Sequence, residues 1–385
     1  MLGAAPHERR LADGPDSRSP YERDRDRILY TSALRRLAET TQVLPASAGH
    51  VYHNRLTHTL EVAQLARRIA ECHPTGADPA ACEAAAWAHD LGHPPFGHTG
   101  EAELDRVLCS IWPEGDGYEG NAQSFRIVTR LAVRRDGVLG LNLTRATLRG
   151  ILKYPWMRDA STGSKFGAYH TEAAELAWVM EGMPGSEPSI EARIVEFADD
   201  VAYSVHDLFD FTRAGLIPMH LLSHRGSEWS EFSATCLDTI GGTELESVFE
   251  DWIRPFPLHG AFDGSRANRA DLRAYTSSMI HAFVEEGATA EAGSLTVSHA
   301  TRAAIEVLKQ LTVHFVMQHP GLRPVKDRQR AIVARLTEWF ADANGRNLRT
   351  EAREQLEAGQ PLERAVADEV ASLTEAEAEE LASRI

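Results

Sequence analysis

Three histidines and two carboxylates lie within thirteen residues of this chain, in the stretch HDLGHPPFGHTGE that runs from His89 to Glu101. Imidazole nitrogens and carboxylate oxygens bind divalent metal ions and transfer protons. The glycines and the Pro94-Pro95 pair prevent a continuous helix, so the stretch must contain a rigid turn. These residue types at this spacing predict a metal-binding and proton-transferring site.

Residues elsewhere in the chain could complete such a site. Arg55 and His58 are three positions apart, so on a helix their side chains face the same way. Asp199, Tyr203 and Asp207 follow one another at intervals of four and would line one stripe of a helix. The Phe, Ala and Val residues between them leave little solvated surface, and buried acids need a partner or a metal.

Each of these residues also has an ordinary structural explanation. A lone His58 is more often a helix cap or a core histidine, and Tyr203 alone is more often a core aromatic residue. Acids more often line a solvated helix face. A His-Asp pair is a weak signal in a chain with 17 histidines, and a second pair occurs at His206-Asp207. Only the combined spacing favours a site.

The predicted metal ligands are His58, His89, Asp90 and Asp199. Two imidazoles and two carboxylates suit a first-row divalent ion such as Mn²⁺, Fe²⁺, Co²⁺ or Ni²⁺, and they leave Mg²⁺ and Zn²⁺ open. Four protein ligands on an octahedral ion leave positions for water and a phosphate oxygen. Metal-assisted hydrolysis requires such open positions.

Helices are the elements that would hold these residues. Apolar residues recur at helical spacing in long segments where Gly and Pro are sparse, and alternating β-branched runs are absent. The expected fold class is therefore all-α. The predicted helices cover about residues 22–41, 57–73, 79–90, 99–110, 120–135, 144–153, 169–181, 189–214, 270–286, 297–318, 325–342 and 361–384. Gly, Ser and Pro near 158–167 and 182–189 predict loops, and 215–268 holds short helices at most.

We divide the chain into a loose N-terminal tail over 1–20, a catalytic core over 21–214 and a helical C-terminal part over 215–385. The C-terminal part is expected to pack on the core within one structural unit. The tail lacks the apolar segment of a secretory signal. The acidic, Ala/Glu-rich residues from Glu351 onward predict a solvated helix face.

The composition is that of an ordinary globular protein. Hydrophobic residues make up 43% and charged residues 25%, and the chain lacks the run of about 18 apolar residues that spans a membrane. The net charge of −16 argues against a broad nucleic-acid surface, so a polyanionic substrate would need a metal and a few placed cations. Four scattered cysteines without CxxC spacing predict buried thiols in a reducing compartment, and we expect a cytoplasmic protein.

The motifs, taken in order, resemble those of the HD-domain superfamily, and within it the deoxynucleoside triphosphate (dNTP) triphosphohydrolases that include the bacterial dGTPase-like proteins. The matching motifs are Arg55-x-x-His58, His89 to Glu101, Tyr118 to Ser124, Leu152 to Trp156 and Ala198 to Asp207, with a weaker echo at Arg364 to Asp368. The resemblance implies an HD-domain helical bundle with additional C-terminal helices. We cannot align residues 215–300 with the family, and Asp368 to Glu375 lacks the aromatic-containing stretch that is usual in it. Base contacts and regulatory residues therefore stay open.

The resemblance also implies roles for particular residues. It implies metal binding by the four ligands named above and catalysis by His98 with Glu101 and by His93. It also places His93 and Asn121 near the phosphates. Arg55, Lys153 and Tyr154 match triphosphate contacts, and Gln42, Tyr203 and Asp207 match residues that hold the 3′-hydroxyl and crowd the 2′ position. The implied reaction is hydrolysis of a dNTP at the α-phosphorus to deoxynucleoside and tripolyphosphate. The implied assembly is a homo-oligomer, often a hexamer, with a dNTP or single-stranded DNA effector and no membrane.

Two other functions would use the same metal site. The substrate could be a nucleoside monophosphate, an alarmone or a cyclic dinucleotide, or the protein could be a nucleotide sensor without activity. Lys153-Tyr154 and the set of Gln42, Tyr203 and Asp207 favour a triphosphate with a 3′-hydroxyl. The complete set of ligands and catalytic residues favours an enzyme.

Overall fold

The computed structural model describes residues 5–41, 53–159, 163–237 and 240–385, except for the side chain of Ala343. These residues form eighteen α-helices and one two-stranded hairpin, so the expected all-α class is confirmed. The helices are α1 (Pro20–Leu29), α2 (Ser32–Arg36), α3 (Arg55–Cys72), α4 (Pro79–Ala88), α5 (Gly97–Ile111), α6 (Gly120–Arg126), α7 (Arg145–Ile151), α8 (Ala173–Met180), α9 (Ile190–Arg213), α10 (Met219–Leu222), α11 (Ser227–Cys236), α12 (Gly242–Val248), α13 (Arg266–His281), α14 (His299–Thr312), α15 (Arg323–Ala341), α16 (Thr350–Glu357), α17 (Leu362–Ser372) and α18 (Glu375–Arg384). In the hairpin, β1 (Ala288–Glu291) pairs antiparallel with β2 (Ser294–Val297).

Shorter helical turns extend or connect these helices. Turns of π-helix follow α6, α12, α13 and α14 at Ile127–Leu131, Phe249–Ile253, Ala282–Glu286 and Val313–Met317. Turns of 3₁₀-helix lie at Leu37–Glu39, His170–Glu172, Pro320–Leu322 and Asp342–Gly345. Across the described ranges, no helix combines the length and the apolar character needed to cross a membrane.

Three helices, α3, α4 and α9, pack against one another in the larger hydrophobic core. Predicted site residues lie on α3 and α9 and directly after the end of α4. α3 begins at a capping box formed by Asn54 and Thr57, and it buries Val62, Leu65 and Ile69. α4 is rich in alanine, whose small side chains let it approach α1, α3, α7 and α9 closely. This packing brings three distant parts of the chain together.

A second apolar cluster joins α5 to the C-terminal helices α15, α17 and α18. It includes Leu104 and Leu108 from α5, Leu336 from α15 and Val370 from α17. The helices between α9 and α15 bury their apolar side chains in the larger core instead. The C-terminal part thus contacts the catalytic helices through both clusters.

A buried ionic network attaches α17 to α6. The Arg126 guanidinium is fully buried, with Nη1 2.5 Å from Glu172 Oε1 and Nη2 2.8 Å from Asp368 Oδ2. The Arg364 guanidinium lies 4.0 Å from the centre of the Tyr169 ring. Buried charges are tolerated only when they are paired and hydrogen-bonded. The weak C-terminal motif at 364–368 therefore has a structural role in this contact.

Residues 5–19 differ from the loose tail that we expected over 1–20. Arg9 forms an ion pair with the buried carboxylate of Asp24, and its backbone pairs with that of Thr144. The backbone N–H of Arg145 donates to the carbonyl of Glu8 at 2.9 Å. A charged segment held by ion pairs has the same composition as a solvated tail, so composition alone could not distinguish them.

Two predicted helices are interrupted in the structure, and the hairpin lies where no strand was predicted. The helix expected over 22–41 breaks before α2, where the Thr31 side chain caps the new helix. The helix expected over 361–384 breaks at Thr374, which forms a capping box with Glu377. A threonine hydroxyl competes with intrahelical hydrogen bonds and favours caps.

Candidate active site

His89 caps the C-terminal end of α4 and opens the predicted turn. Its Nδ1 lies 2.7 Å from the backbone carbonyl of Ala86, so Nδ1 donates and Nε2 is left as an acceptor. Among the residues that the structure describes, the buried Nε2 of His89 has no hydrogen-bond partner. A metal-ligating imidazole requires a nitrogen with its lone pair available in this way.

Donor atoms of His58, His89 and Asp90 lie within 4.8 Å of one another. Asp199, from α9, reaches the same place, with its Oδ1 2.9 Å from His58 Nε2 and 3.8 Å from His89 Nε2. His58 comes from the first turn of α3, so donors from three helices converge. Two imidazoles and two carboxylates, with one unpartnered nitrogen among them, fit a first-row divalent cation.

Both carboxylates of this set are ionised at neutral pH. Burial alone would raise the pKa of Asp90, but its interactions with His89, His93 and Arg55 outweigh burial and hold the pKa well below its ordinary value. Burial of Asp199 is outweighed in the same way by the hydrogen bond with His58 and the interaction with His89, so its pKa is also lowered. The ionised form of a carboxylate is the one that binds a cation.

Arg55 contacts a predicted metal ligand directly. Its Nη1 donates to Asp90 Oδ2 at 2.7 Å, and both side chains are buried. The other oxygen, Asp90 Oδ1, lies 3.4 Å from His89 Nε2 and 3.1 Å from His93 Nε2. We predicted Arg55 as a triphosphate contact, and in the structure its Nη1 donates to Asp90. Asp90 belongs to the predicted ligands His58, His89, Asp90 and Asp199, which we call the metal set.

His98 and Glu101, one turn apart at the start of α5, form a hydrogen-bonded pair with Nδ1 and Oε2 2.8 Å apart. Glu101 is buried and its second oxygen accepts the N–H of Gly120 at 3.1 Å, whereas 67% of the His98 side chain is exposed. Burial alone would raise the pKa of Glu101, but the hydrogen bond from His98 and nearby positive charges lower it. An ionised Glu101 orients His98 and leaves its Nε2 for proton transfer.

His93 lies between the metal set and this pair. Its Nε2 is 3.1 Å from Asp90 Oδ1, and its Nδ1 is 3.9 Å from Glu101 Oε2. The His93 and His98 rings meet edge to face at 5.2 Å between centroids. Burial, together with the charge of Arg55, lowers the pKa of His93, so the ring is neutral near pH 7.

The turn between these two groups uses left-handed backbone conformations. Phe96 has φ of 66° and Gly97 has φ of 54°. A side chain at Gly100 would come within 1.9 Å of the carbonyl oxygen of Pro95. The left-handed conformation costs a non-glycine residue about 1–2 kcal/mol, which the buried ring of Phe96 offsets by packing against Leu104 and its neighbours.

The predicted phosphate contacts lie on two sides of the site. Lys153 Nζ is 3.4 Å from Glu196 Oε1 and 5.8 Å from the centre of the Tyr154 ring. Burial would lower the pKa of Lys153, but Glu196 and other nearby acids raise it, so the ammonium is charged. Asn121 donates instead to Glu119 Oε1 at 2.9 Å, within its own turn.

Tyr203 and Asp207 continue the stripe of α9 that begins with Asp199. The Tyr203 hydroxyl lies 3.8 Å from Met317 Sδ. Burial and neighbouring acids raise the pKa of Asp207 well above its ordinary value. Its buried Oδ2 has no hydrogen-bond partner within the described ranges. Gln42, the third predicted sugar contact, lies outside the described residues.

Two cations beside the site were missed in the sequence. Lys165 Nζ lies 3.6 Å from Glu101 Oε1. Arg36 Nη2 donates to the carbonyls of Leu91 and His93, both at 2.8 Å. Lys165 belongs to a segment that was predicted only as a loop, and neither residue has a spacing relationship to the motifs. No signal in a single sequence would have found them.

A second charged cluster surrounds His206, whose His-Asp pair we had treated as an ordinary occurrence. Glu61 lies between two imidazoles, with Oε1 2.9 Å from His53 Nε2 and Oε2 2.5 Å from His206 Nδ1. His53 Nδ1 is 2.5 Å from Asp210 Oδ2. Burial would lower the pKa of His53, but Asp210 and Glu61 outweigh it and raise the pKa to about 10. The cluster joins α3 to α9 beside the sugar-side residues.

Comparisons with known proteins find related chains over nearly the full length. The family described as HD domain matches residues 55–204, and the Phosphohydrolase-associated domain matches residues 295–384. A deoxyguanosinetriphosphate triphosphohydrolase-like protein of Corynebacterium efficiens is 38% identical over 98% of this chain and 94% of its own length. The protein of the same name from Streptomyces coelicolor is 39% identical over 98% and 95%, and that from Wolinella succinogenes is 35% identical over 96% of each chain.

Proposed function

Because the chain belongs to the deoxyguanosinetriphosphate triphosphohydrolase-like proteins, a family of HD-domain phosphohydrolases, we propose that it hydrolyses dNTPs at the α-phosphorus. The products are then deoxynucleoside and tripolyphosphate. The observation that carries the proposal is the position of His93, which contacts both the metal set and the pair of His98 and Glu101. Phosphoester hydrolysis needs a cation and a proton-transfer group at the same phosphorus.

The residues assigned to the metal are His58, His89, Asp90 and Asp199. A divalent cation bound there, whether Mn²⁺, Mg²⁺, Fe²⁺, Co²⁺ or Ni²⁺, would polarise a phosphate oxygen and lower the pKa of a bound water. Arg55 holds one oxygen of Asp90, so it fixes the orientation of that carboxylate. The protein thus supplies an oriented and negatively charged ligand set.

In the proposed reaction, the water oxygen bonds to the α-phosphorus and the bond from that phosphorus to the 5′ oxygen breaks. The 5′ oxygen leaves with a proton. His98 can give this proton through Nε2 because Glu101 accepts from Nδ1. The same geometry serves a base that takes the proton from the attacking water, and the pH dependence of kcat distinguishes these two roles.

The remaining phosphates need positive charge, which the chain as a whole does not supply at its net charge of −16. Lys153 and Lys165 are charged and lie near the metal set and near Glu101, respectively. We assign these two ammonium groups to the β and γ phosphates, with Tyr154 beside Lys153. These two cations act at short range, whereas salt screens the field of the more distant acidic residues.

The sugar is assigned to the stripe that carries Tyr203 and Asp207. The buried Oδ2 of Asp207 has no hydrogen-bond partner within the described ranges, so it suits a 3′-hydroxyl. The Tyr203 ring would occupy the space that a 2′-hydroxyl needs. A site fitted to one hydroxyl rejects an analogue that does not pair or fit.

Product analysis tests the proposal. The metal-loaded protein is incubated with each of the four dNTPs in Mn²⁺ or Mg²⁺, in water enriched in oxygen-18. We expect deoxynucleoside and tripolyphosphate, with the heavy oxygen in tripolyphosphate because attack occurs at the α-phosphorus. Orthophosphate, or turnover of a nucleoside monophosphate, alarmone or cyclic dinucleotide alone, would instead indicate another HD-domain reaction. Absence of any metal-dependent turnover would indicate a nucleotide sensor.

A further inference from the structure

Glu375, the first residue of α18, reaches from the C-terminal helices to two backbone positions beside the active site. Its Oε1 accepts the N–H of Thr41 at 2.8 Å and the N–H of Phe96 at 3.2 Å. Its Oε2 accepts the Thr41 hydroxyl at 2.7 Å. One carboxylate therefore fixes two segments that are far from it, and from each other, in the chain.

Each of these positions adjoins residues assigned to the reaction. Phe96 holds the left-handed conformation directly before Gly97 and His98. Thr41 pairs through its backbone with Asn54, the cap of α3, and Gln42 follows it in the chain. Glu375 thus contacts the turn that presents the proton-transfer pair and the segment that precedes a predicted sugar contact.

Arg36 holds the same turn from its carbonyl side. Its Nη2 donates to the carbonyls of Leu91 and His93, and its Nη1 lies 3.4 Å from the carbonyl of Leu373, two residues before Glu375. Arg36 therefore holds the turn from Leu91 to Phe96 at two carbonyls, and Glu375 holds it at the N–H of Phe96. Arg36 and Glu375 also connect this turn to the start of α18.

The contacts of Glu375 are not needed to cap its own helix. Thr374 and Glu377 already form a reciprocal capping box, with Thr374 Oγ1 accepting from the Glu377 N–H at 3.2 Å and Glu377 Oε2 accepting from the Thr374 N–H at 2.8 Å. The carboxylate of Glu375 is instead directed at the catalytic half of the molecule. A helix-stabilising role alone does not account for that direction.

We propose that Glu375 is a positioning residue through which the phosphohydrolase-associated segment completes the active site. The proposal rests on the proposed function for the identity of the substrate. It deepens that function by giving the C-terminal segment a part in the geometry of the turn before His98. A displacement of about 1 Å at such groups lowers turnover by up to about 100-fold.

The contacts depend on accepting oxygens rather than on charge, and two substitutions separate these properties. In Glu375→Gln, the amide oxygen can accept both backbone N–H groups and the amide nitrogen can donate to the Thr41 hydroxyl. Glu375→Ala removes every acceptor, and Glu375→Asp keeps an acid whose side chain is one methylene shorter. We expect kcat/KM to fall about 10-fold to 100-fold in the Ala and Asp variants and less than about 3-fold in the Gln variant.

The experiment compares these three variants with Glu379→Ala, a matched control on the same helix whose carboxylate is exposed and lies 3.6 Å from Arg328. Metal content, kcat and KM for dNTPs, and hydrogen exchange at the amides of Thr41 and Phe96 are measured on the full chain. We expect faster exchange at both amides in the Ala and Asp variants, unchanged metal content, and wild-type behaviour in the control. The Gln variant keeps the test valid if the Ala variant does not fold.

Two results would overturn the positioning role: exchange at Thr41 and Phe96 that is the same in Glu375→Ala as in the wild type, or faster exchange with unchanged kinetics. A wild-type protein that hydrolyses no dNTP would refute the proposed function instead. The positioning role is then decided by exchange at the two amides together with kcat/KM for whichever nucleoside monophosphate, alarmone or cyclic dinucleotide the wild type hydrolyses.

Discussion

His58 and Asp199 are 141 residues apart in the chain, yet His58 Nε2 lies 2.9 Å from Asp199 Oδ1. The packing of α3 against α9 sets this distance. The unpartnered Nε2 of His89 faces the same carboxylate oxygen at 3.8 Å. A divalent cation bound by both side chains would replace the hydrogen bond between His58 and Asp199.

Replacing His89 by Ala is expected to reduce bound metal more than 10-fold and to abolish turnover, because His89 is a direct ligand in our assignment. Changes to residues that only orient a ligand already cost about 10–100-fold in metal affinity. Metal per chain is measured by mass spectrometry after dialysis against a weak chelator. His299→Ala, at an exposed position in the first turn of α14, is the control. Retention of a full equivalent of metal in the His89 variant would remove this residue from the ligand set.

Replacing His98 by Ala or Glu101 by Gln should leave the metal content intact and lower kcat by about 100-fold to 10,000-fold, the usual contribution of a general acid or base. The Glu101 variant keeps the shape of the side chain but loses the charge that orients His98. Arg106→Ala, an exposed change on the same helix, should have little effect. Loss of metal in either active-site variant would mean that the ligands and the catalytic pair are misassigned.

Replacing Asp207 by Ala should relax the preference for dNTP over NTP, because the sugar then loses its hydroxyl partner. Replacing it by Asn should preserve most of the preference, since the amide keeps the size of the side chain and still offers hydrogen-bonding groups to the sugar. The ratio of kcat/KM for dGTP and GTP is the measurement. An unchanged ratio in the Ala variant would refute the assignment of Asp207 to the sugar.

The cluster of His53, Glu61 and Asp210 predicts a pH-dependent stability. The pKa of His53 is raised from 6.5 to about 10 on folding, so its contribution is complete below pH 6.5 and is lost as the pH rises through about 10. We expect the free energy of unfolding in urea to decline between pH 7 and pH 10 by an amount on the order of a few kcal/mol. His53→Gln should show a shallower decline, and parallel profiles for both proteins would contradict the assignment.

Replacing Arg126 by Met should destabilise the fold by about 3–5 kcal/mol, because the carboxylates of Glu172 and Asp368 then stay buried without this partner. The change keeps much of the side-chain volume, so a cavity contributes little. Urea unfolding measures the difference, with Arg106→Met as an exposed control. A loss below about 1 kcal/mol, typical of a surface ion pair, would show that the network is dispensable.

The sequence predicted what depends on local spacing. His98 and Glu101 are one helical turn apart and do form a hydrogen bond, and the helices that bring His58, His89 and Asp199 together lie close to their expected positions. The sequence could not predict contacts that depend on tertiary packing alone. Arg36 and Glu375 reach the turn from other helices, and no periodicity connects them to the motifs.

Phe96 and Glu375 are in contact although they are 279 residues apart, so a growing chain acquires these two groups at very different times. A nascent chain contains the whole ligand set once Asp199 has been added, so the ability to bind a cation can arise early. The turn before His98 has no acceptor for its amide until residue 375 has been made. On the assignments proposed above, a growing chain therefore carries all four metal ligands well before it carries the group that holds the catalytic turn.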